Sequence, residues 1–150
     1  MSSKVSRSAL RRRKKNALNV NVAIVGLNRI SASLGLALRG INDRDNMDVI
    51  FTVVGRDEDN DTMKTAQKMG AIDNFNRSLK AVVEDADIVL LDVPMGDQED
   101  VFEELGKGLK PGAVVVDLSP MKQPGVALAK KYFPKDVNGK LTAYIVGAAP

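Results

Sequence analysis

The chain has 150 residues, of which 44% are hydrophobic, so it is long enough to bury one core and too short for two comfortable domains. It contains no cysteine and no histidine, which excludes disulfides, zinc–cysteine sites and the commonest general base. The net charge of +3 is uneven, because residues 1–15 hold seven of the 22 cations and none of the 19 acids, which leaves the rest of the chain at −4.

The basic N-terminal segment contains the run RRRKK. Such a run could bind RNA, an anionic lipid or a nuclear import receptor, whereas a short leader rich in Ser and Arg is more typical of a solvated, disordered end. We therefore predict a disordered basic tail over residues 1–19 and one folded domain, without a nucleic-acid surface, over residues 20–150. No apolar run reaches the roughly 18 residues that span a bilayer, so we expect a soluble, cytoplasmic protein.

From residue 20 onward, short apolar runs rich in β-branched residues alternate with longer segments of helical spacing, which indicates a parallel sheet. The predicted strands are Val20–Val25, Val49–Val54, a short one near Ala71–Phe75, Ile88–Val93, Ala113–Leu118 and Ala143–Val146. The predicted helices run from the turn after Gly26 to near Gly40, over Asp61–Met69, from Ser78 as N-cap, through Val101–Leu109, and over Val126–Phe133. The fold class is therefore α/β, with a doubly wound parallel sheet of six strands in the order 3-2-1-4-5-6.

The stretch VAIVGLNRISASLGLAL, residues 22–38, passes from a strand through a glycine turn into a helix. Such a turn can hold a pyrophosphate, because the free N–H groups and the dipole at a helix N-terminus favour an anion. Gly26 allows the turn, but Asn28 stands where a second glycine is usual and adds a side chain, although Asn tolerates left-handed backbone angles. Ser31 replaces a third glycine and is small enough for close packing. The predicted dinucleotide loop consists of Gly26, Leu27, Asn28, Arg29, Ile30 and Ser31.

Asp57 follows the second predicted strand in the segment VVGRDED. A carboxylate at this point can accept hydrogen bonds from the adenosine ribose hydroxyls and repel the extra phosphate of NADP. Arg56 favours the opposite choice, since a guanidinium can pair with that phosphate. We predict NAD or NADP as the cofactor and favour NAD slightly. The alternative is that Asp57, Glu58 and Asp59 only cap and charge the next helix.

The segments VAIVGLNRISASLGLAL, VVGRD, MGAIDNF, EDADIVLLDVP, LKPGAVVVDLSPMK and YIVGAAP follow one another as they do in prephenate and arogenate dehydrogenases. Over about residues 20–150 the chain resembles the cofactor domain of that family. The resemblance implies a Rossmann fold and an oxidoreductase of tyrosine biosynthesis, which transfers a hydride from the ring of prephenate or arogenate to NAD or NADP with loss of carbon dioxide. It makes the Gly26 loop and Asp57 cofactor contacts and places Val93 and Pro94 near the nicotinamide half.

The resemblance also matches Asp117, Ser119 and Lys122 to an Asp-x-x-Ser-x-Lys segment after the fifth strand. The family's own serine in that segment falls on Pro120, which has no hydroxyl. The family's histidine, which accepts the proton from the substrate hydroxyl, falls on Ala149, and a methyl group cannot replace it. We therefore predict Lys122, Ser119 and Asp117 as the catalytic candidates, with Lys122 or Asp117 as the base.

In the resembling family a helical domain follows the cofactor domain, forms the dimer and closes over the substrate, whereas this sequence stops at Pro150. Three explanations stay open: a homodimer mate or partner chain supplies the rest, the sequence is a fragment, or the chain is a catalytically silent dinucleotide-binding module. A nucleic-acid role through RRRKK is a less favoured function. No metal site is predicted, because acid pairs such as Glu84 and Asp85 lie at helix ends, where solvated charge is the ordinary explanation.

Overall fold

The structure is a computed structural model that describes residues 16–120 and 123–148, apart from the side chain of Gln123. The strands are β1 (Leu18–Val25), β2 (Val49–Arg56), β3 (Asn74–Phe75), β4 (Ile88–Leu91), β5 (Val114–Asp117) and β6 (Tyr144–Gly147). The α-helices are α1 (Arg29–Ile41), α2 (Asn60–Met69), α3 (Leu79–Val83), α4 (Gln98–Gly108) and α5 (Gln123–Tyr132), and a 3-10 turn (Met95–Asp97) precedes α4.

The strands form one parallel sheet in the order β3-β2-β1-β4-β5-β6, which confirms the predicted doubly wound sheet. β1 lies between β2 and β4, and its last residue, Val25, is aligned with Arg56 of β2 and Leu91 of β4. The winding direction of the chain therefore reverses at β1. In a sheet of this kind the reversal leaves a crevice at the carboxyl ends of the strands.

Polar side chains mark the starts of the first three helices. Asn28, Asp59 and Ser78 each accept a backbone N–H group from the first turn of α1, α2 and α3, respectively. Such caps satisfy N–H groups that have no partner within the helix. The N-cap predicted at Ser78 is confirmed, and α2 ends at Gly70 as predicted.

β1 begins two residues before its predicted start at Val20. The N–H of Leu18 donates to the carbonyl oxygen of Asp48 at 2.9 Å, so the pairing with β2 starts there. The predicted tail over residues 1–19 therefore overlaps a strand, and residues 1–15 of that tail lie outside the described part of the chain.

Several later elements differ from their predicted bounds by one to three residues, and two of these differences have a local reason. β4 ends at Leu91 instead of Val93, close to Pro94, which has no N–H to continue the ladder. α5 begins at Gln123 instead of Val126, because a proline in the first turn of a helix lacks an N–H that would be unpaired anyway.

Apolar side chains form one core on each face of the sheet. On the first face, α1 and α2 pack against β1 and β2 around the fully buried Ile24 and Met63. On the second face, α3, α4 and α5 pack around Phe102, whose ring stacks on Phe133 with the centroids 5.5 Å apart. Coverage of both faces requires strands that are apolar nearly throughout. No helix in the described residues is long and apolar enough to cross a membrane.

Asp87 joins the amino ends of neighbouring strands. Its carboxylate accepts the backbone N–H of Asn21 at 2.8 Å and pairs with the ammonium group of Lys110 at 2.7 Å. These hydrogen bonds, the one from Lys110 first, lower the pKa of Asp87 below its ordinary value. The carboxylate therefore contributes to stability only while it is ionised.

Asp87→Asn should lower the free energy of unfolding at neutral pH by at most about 1 kcal/mol, because exposed ion pairs contribute little. A carboxyl group with a depressed folded pKa stabilises the protein above its unfolded pKa, and the stabilisation is lost as the pH falls through the folded pKa. Urea unfolding of both proteins at neutral and at acidic pH measures this difference. If Asp87→Asn were less stable than the wild type by the same amount in acid as at neutral pH, the ionised carboxylate of Asp87 would not be the source of the difference.

Candidate functional site

A cavity of about 600 Å³ lies at the carboxyl ends of the strands, where the winding reverses at β1. Ligands of doubly wound sheets bind at this crevice. The wall contains many of the residues that the sequence predicts as functional: Gly26, Leu27, Asn28, Arg56, Asp57, Val93, Pro94 and Ser119. It is completed by Glu58, Asp92, Met95, Asp97, Val101 and Pro120.

Gly26 forms the turn between β1 and α1. Its φ angle of 90° lies in the region that side chains rarely adopt, and a Cβ atom there would clash with the carbonyl oxygen of Asp92. The N–H of Gly26 donates to the carbonyl oxygen of Arg56 at 2.9 Å. The turn is thus fixed between the ends of β2 and β4, and only glycine fits it.

Asn28 caps α1 instead of adopting a left-handed backbone. Its φ and ψ angles are −96° and −174°, which is extended, so its tolerance of left-handed angles is not used. Its side-chain Oδ1 accepts the N–H groups of Ile30 at 2.9 Å and Ser31 at 3.2 Å. These are the N–H groups that an anion at the helix N-terminus would bind. A phosphate oxygen would therefore have to replace the Asn28 oxygen on them.

Ser31 holds the loop together from within. It is fully buried, its hydroxyl donates to the carbonyl oxygen of Gly26 at 2.6 Å, and its Oγ accepts the N–H of Asn28 at 3.0 Å. Ser31 therefore shapes the loop and does not line the cavity. Arg29 and Ile30 are exposed and also lie off the cavity wall.

Asp57 reaches across the mouth of the crevice to the glycine turn. Its Oδ2 accepts the N–H of Leu27 at 2.8 Å, and its Oδ1 accepts the N–H of Asp59 at 3.0 Å. Each carboxylate oxygen has lone pairs left for another donor. Asp59, in contrast, caps α2, and hydrogen bonds from the hydroxyl of Thr62 first and the N–H of Asp61 second lower its pKa. The capping alternative thus describes Asp59 and not Asp57.

The guanidinium of Arg56 already contacts neighbouring polar groups. It lies 3.6 Å from the carboxylate of Glu58 and donates to the carbonyl oxygen of Arg77 at 3.4 Å. Asp57, Glu58, Asp92 and Asp97 also line the cavity, so four carboxylates and one guanidinium stand on its described wall. The described wall therefore carries more negative than positive side chains.

Val93 and Pro94 line the cavity on its β4 side, where β5 contributes Ser119 and Pro120. Ser119 is 4% exposed, and its N–H donates to Oδ1 of Asp117 at 2.9 Å. Pro120 is exposed and presents no hydroxyl at the position where the resembling family has serine.

Asp117 lies away from the cavity. It is 2% exposed, and its Oδ2 faces the Cα of Gly125 in the first turn of α5 so closely that a Cβ there would clash with it. A carboxylate at a helix N-terminus is stabilised by the helix dipole. This placement gives Asp117 a structural role and does not support its predicted catalytic role. Lys122, the other predicted base, lies outside the described residues.

Asp92 is a cavity residue that sequence reasoning missed. It follows β4 directly, its N–H donates to the carbonyl oxygen of Val25 at 2.9 Å, and its carbonyl oxygen lies against Gly26. Its Oδ2 is buried without a hydrogen-bond partner among the described residues. The signal was present in the segment LLDVP, because an acid directly after an inner strand points to the same edge as Asp57.

Residues 35–150 match the protein family described as the nucleotide-binding domain of prephenate dehydrogenase. The matched range begins after the glycine turn, so the assignment of the turn depends on its geometry. No curated protein matches the chain.

Two solved structures with a similar fold are an arogenate dehydrogenase from Synechocystis and a prephenate dehydrogenase from A. aeolicus in complex with hydroxyphenyl propionate and NAD+. The first is 24% identical with a TM-score of 0.65 and is matched over 75% of this chain and 37% of that chain. The second is 22% identical with a TM-score of 0.68, over 87% and 41%. At these identities the likeness shows the fold, and this chain spans about two fifths of the length of those proteins.

Proposed function

The chain belongs to the prephenate dehydrogenase family through its nucleotide-binding domain, and on that premise we propose that it binds a nicotinamide dinucleotide as the cofactor-binding part of a prephenate or arogenate dehydrogenase. The bound nicotinamide would accept a hydride from the substrate ring. The observation that carries the proposal is the cavity at the reversal of winding, with Gly26 at its centre and Asp57 at its β2 side.

The residues of the crevice fit such a cofactor. Gly26 allows the sharp turn after β1, because a Cβ there would clash with the carbonyl oxygen of Asp92, and the N-terminus of α1, which favours a pyrophosphate, follows the turn directly. Asp57 offers carboxylate lone pairs to a ribose diol while it holds the N–H of Leu27. Asn28 Oδ1 occupies two helix N–H groups, but a charged phosphate oxygen forms stronger hydrogen bonds than an amide oxygen and can displace it.

NAD+ is the preferred cofactor in this proposal. The additional phosphate of NADP+ would lie beside Asp57 and Glu58, and the guanidinium of Arg56 is shared with Glu58 and a backbone carbonyl. Like charges placed against each other cost several kcal/mol. One arginine that is already engaged offsets this cost incompletely.

Calorimetric titration of the full chain should give a dissociation constant for NAD+ about tenfold or more below that for NADP+, because the repulsion acts only on NADP+. Glu58→Gln serves as the matched variant, because it removes one negative charge and releases the guanidinium of Arg56. The dissociation constants of NAD+ and NADP+ should therefore lie closer together in this variant. If neither cofactor at millimolar concentration gave a heat of binding, the proposal would be refuted. If NADP+ bound more tightly than NAD+, the cofactor preference would be the reverse of the proposed one.

A second candidate function is a catalytically silent dinucleotide-binding module. Two features of the β5 side favour it: Pro120 places no hydroxyl on the wall, and Asp117 is buried away from the cavity. The absorbance of reduced nicotinamide separates the two functions, since cofactor binding alone gives no transition-state stabilisation. With saturating NAD+, reduction in the presence of prephenate or arogenate supports the dehydrogenase, and its absence supports the silent module.

A further inference from the structure

The first face of the sheet has an apolar area that no helix of the described residues covers. α1 and α2 pack over β1 and β2 on this face, whereas α3, α4 and α5 pack on the second face, so β5 and β6 are open on the first. Ile145 packs into the core of the second face. Its neighbours Tyr144 and Val146 therefore point to the first face, because side chains alternate along a strand. The register aligns them with two valines of β5, and together they form what we call the floor: Val114, Val116, Tyr144 and Val146.

α1 lies next to the floor and carries a second row of apolar side chains. The side of α1 with Ala32 lines a groove beside α2, and Arg39 on the same side donates to the carbonyl oxygen of Gly70 at 2.6 Å. The opposite side of α1 therefore faces β4 and the floor. Residues three or four apart share this side and form what we call the ridge: Ile30, Leu34, Ala37 and Ile41.

The ridge and the floor are exposed and uncharged. Tyr144 and Val146 are 54% and 50% exposed, and Ile30 and Leu34 are 42% and 37% exposed. Tyr144 alone offers roughly 100 Å², about half of what a tyrosine buries when it is covered. Ridge and floor together offer on the order of 500 Å², which is what each partner contributes to the smallest specific interfaces. A contiguous apolar surface of this size marks an interaction site.

The shape of this surface fits a second copy of the same chain. The ridge is a raised helix, and the floor beside it is an uncovered strip of sheet. A two-fold axis between two copies places the ridge of each over the floor of the other, so that one surface serves both copies, as an isologous interface requires. Neither the ridge nor the floor contains a charged residue, so identical copies meet there without like-charge repulsion.

We propose that two copies of this chain associate through the ridge and the floor about a two-fold axis. Each α1 then lies between its own sheet and the sheet of the other copy, and the removal of apolar surface from water drives the association. The surface lies on the flat face of the sheet and the cavity at its carboxyl edge, so this proposal is independent of the proposed function.

Sedimentation velocity of the full chain, between about 1 and about 500 µM, tests the association. We expect a monomer at the lowest concentration and a dimer at the highest, with a dissociation constant on the order of 10 µM, because a total interface of about 1,000 Å² is small for a specific complex. The dimer should be the largest species, since a two-fold interface closes on itself. A series of larger species would overturn the two-fold arrangement.

Two leucines of α1 provide a matched pair of variants for the ridge. Leu34 belongs to the ridge, whereas Leu36, which is 40% exposed, lies four residues after Ala32 on the side of α2. Leu34→Asp should weaken the dimer at least about 100-fold, because the symmetric interface would bury two unpaired carboxylates. Leu36→Asp adds the same charge to the same helix at nearly the same exposure and should leave the dissociation constant within about twofold of wild type.

Two valines provide the corresponding pair for the floor. Val146→Asp should also weaken the dimer at least about 100-fold, for the same reason. Val137 is fully exposed and lies between α5 and β6, away from the floor, so Val137→Asp should leave the dimer unchanged. The melting temperatures of all four variants show whether each one is folded. If Leu34→Asp or Val146→Asp does not fold, Leu34→Ser or Val146→Ser takes its place.

The remaining outcomes each decide the proposal. A wild-type chain that stays monomeric at every concentration would overturn it. A dimer that the ridge and floor variants leave intact, or that the control variants weaken to the same extent, would show that the copies meet at another surface. A chain that dimerises only after removal of residues 1–15 would assign the floor to that segment instead of a second copy.

Discussion

Gly26→Ala should destabilise the protein by about 2–5 kcal/mol, since a left-handed alanine costs about 1–2 kcal/mol and an overpacked Cβ about 1–3 kcal/mol. The φ angle of 90° places the new side chain against the carbonyl oxygen of Asp92, and this oxygen belongs to backbone that is hydrogen-bonded to β1. Relief of the clash has to open the seam between β1 and β4, which is the floor of the cavity. We therefore also expect nucleotide binding to be lost.

Gly112→Ala is the matched control for this substitution. Gly112 has a φ angle of 86°, almost the same as Gly26, but a Cβ atom there meets nothing within 4 Å. Its free energy of unfolding should fall only by the cost of a left-handed alanine, about 1–2 kcal/mol, and its affinity for the cofactor should stay the same. Urea unfolding and calorimetric titration with NAD+ measure both effects. Equal destabilisation in the two variants, with binding retained in Gly26→Ala, would mean that the close approach at Asp92 is unimportant.

The fold could be predicted from the sequence because its signals are local and agree with one another. Apolar runs such as Val20–Val25 and Ala113–Leu118 are too apolar for a sheet with one solvated face, and the segments between them have helical spacing. Right-handed crossovers then leave few strand orders. The errors in bounds came from contacts distant in sequence: nothing near Leu18 indicates that Asp48 accepts its N–H.

The candidate site could be predicted in part. Gly26 and Asp57 can be predicted because each follows a strand, and the carboxyl ends of parallel strands meet at one edge. The glycine pattern alone makes Asn28 a poor replacement for glycine, whereas in the structure Asn28 is an N-cap whose side chain accepts the N–H groups of Ile30 and Ser31. The segment NRIS has the spacing of such a cap, with a second hydrogen-bonding side chain three residues after the first.

The contrast between Asp92 and Asp117 shows what sequence could not provide. Both are acids at the end of an inner strand, and side chains alternate between faces along a strand. Asp117 is the last residue of β5 and lies on the face of α5, whereas Asp92 is the first residue beyond β4 and lines the cavity. A strand end predicted with an error of one or two residues therefore leaves the direction of its terminal side chain undecided.

Asp57→Ala should weaken NAD+ binding by about 10- to 100-fold and lower the free energy of unfolding by about 1–3 kcal/mol. Two functions are lost together in this variant. The carboxylate no longer accepts ribose hydroxyls, and the N–H of Leu27 loses the acceptor that ties the glycine turn to the end of β2. Calorimetric titration measures the first effect and urea unfolding the second.

Asp73→Ala is the matched control for the structural part. Asp73 also follows a core segment, accepts the N–H of Val53 at 2.8 Å and pairs with Arg39 at 3.0 Å, but it lies outside the cavity. It should lose comparable stability and keep its affinity for NAD+.

Asp57→Asn separates the two functions at Asp57 itself. Its single amide oxygen can still accept the N–H of Leu27, so the turn should stay tied, although the N–H of Asp59 loses its acceptor. The negative charge that repels the extra phosphate of NADP+ is gone. We expect a smaller loss of stability than in Asp57→Ala, weaker NAD+ binding and a smaller preference for NAD+ over NADP+. If Asp57→Asn instead kept the full preference, Glu58 would be the residue that discriminates between the cofactors, because it is the remaining carboxylate beside Arg56 on that wall.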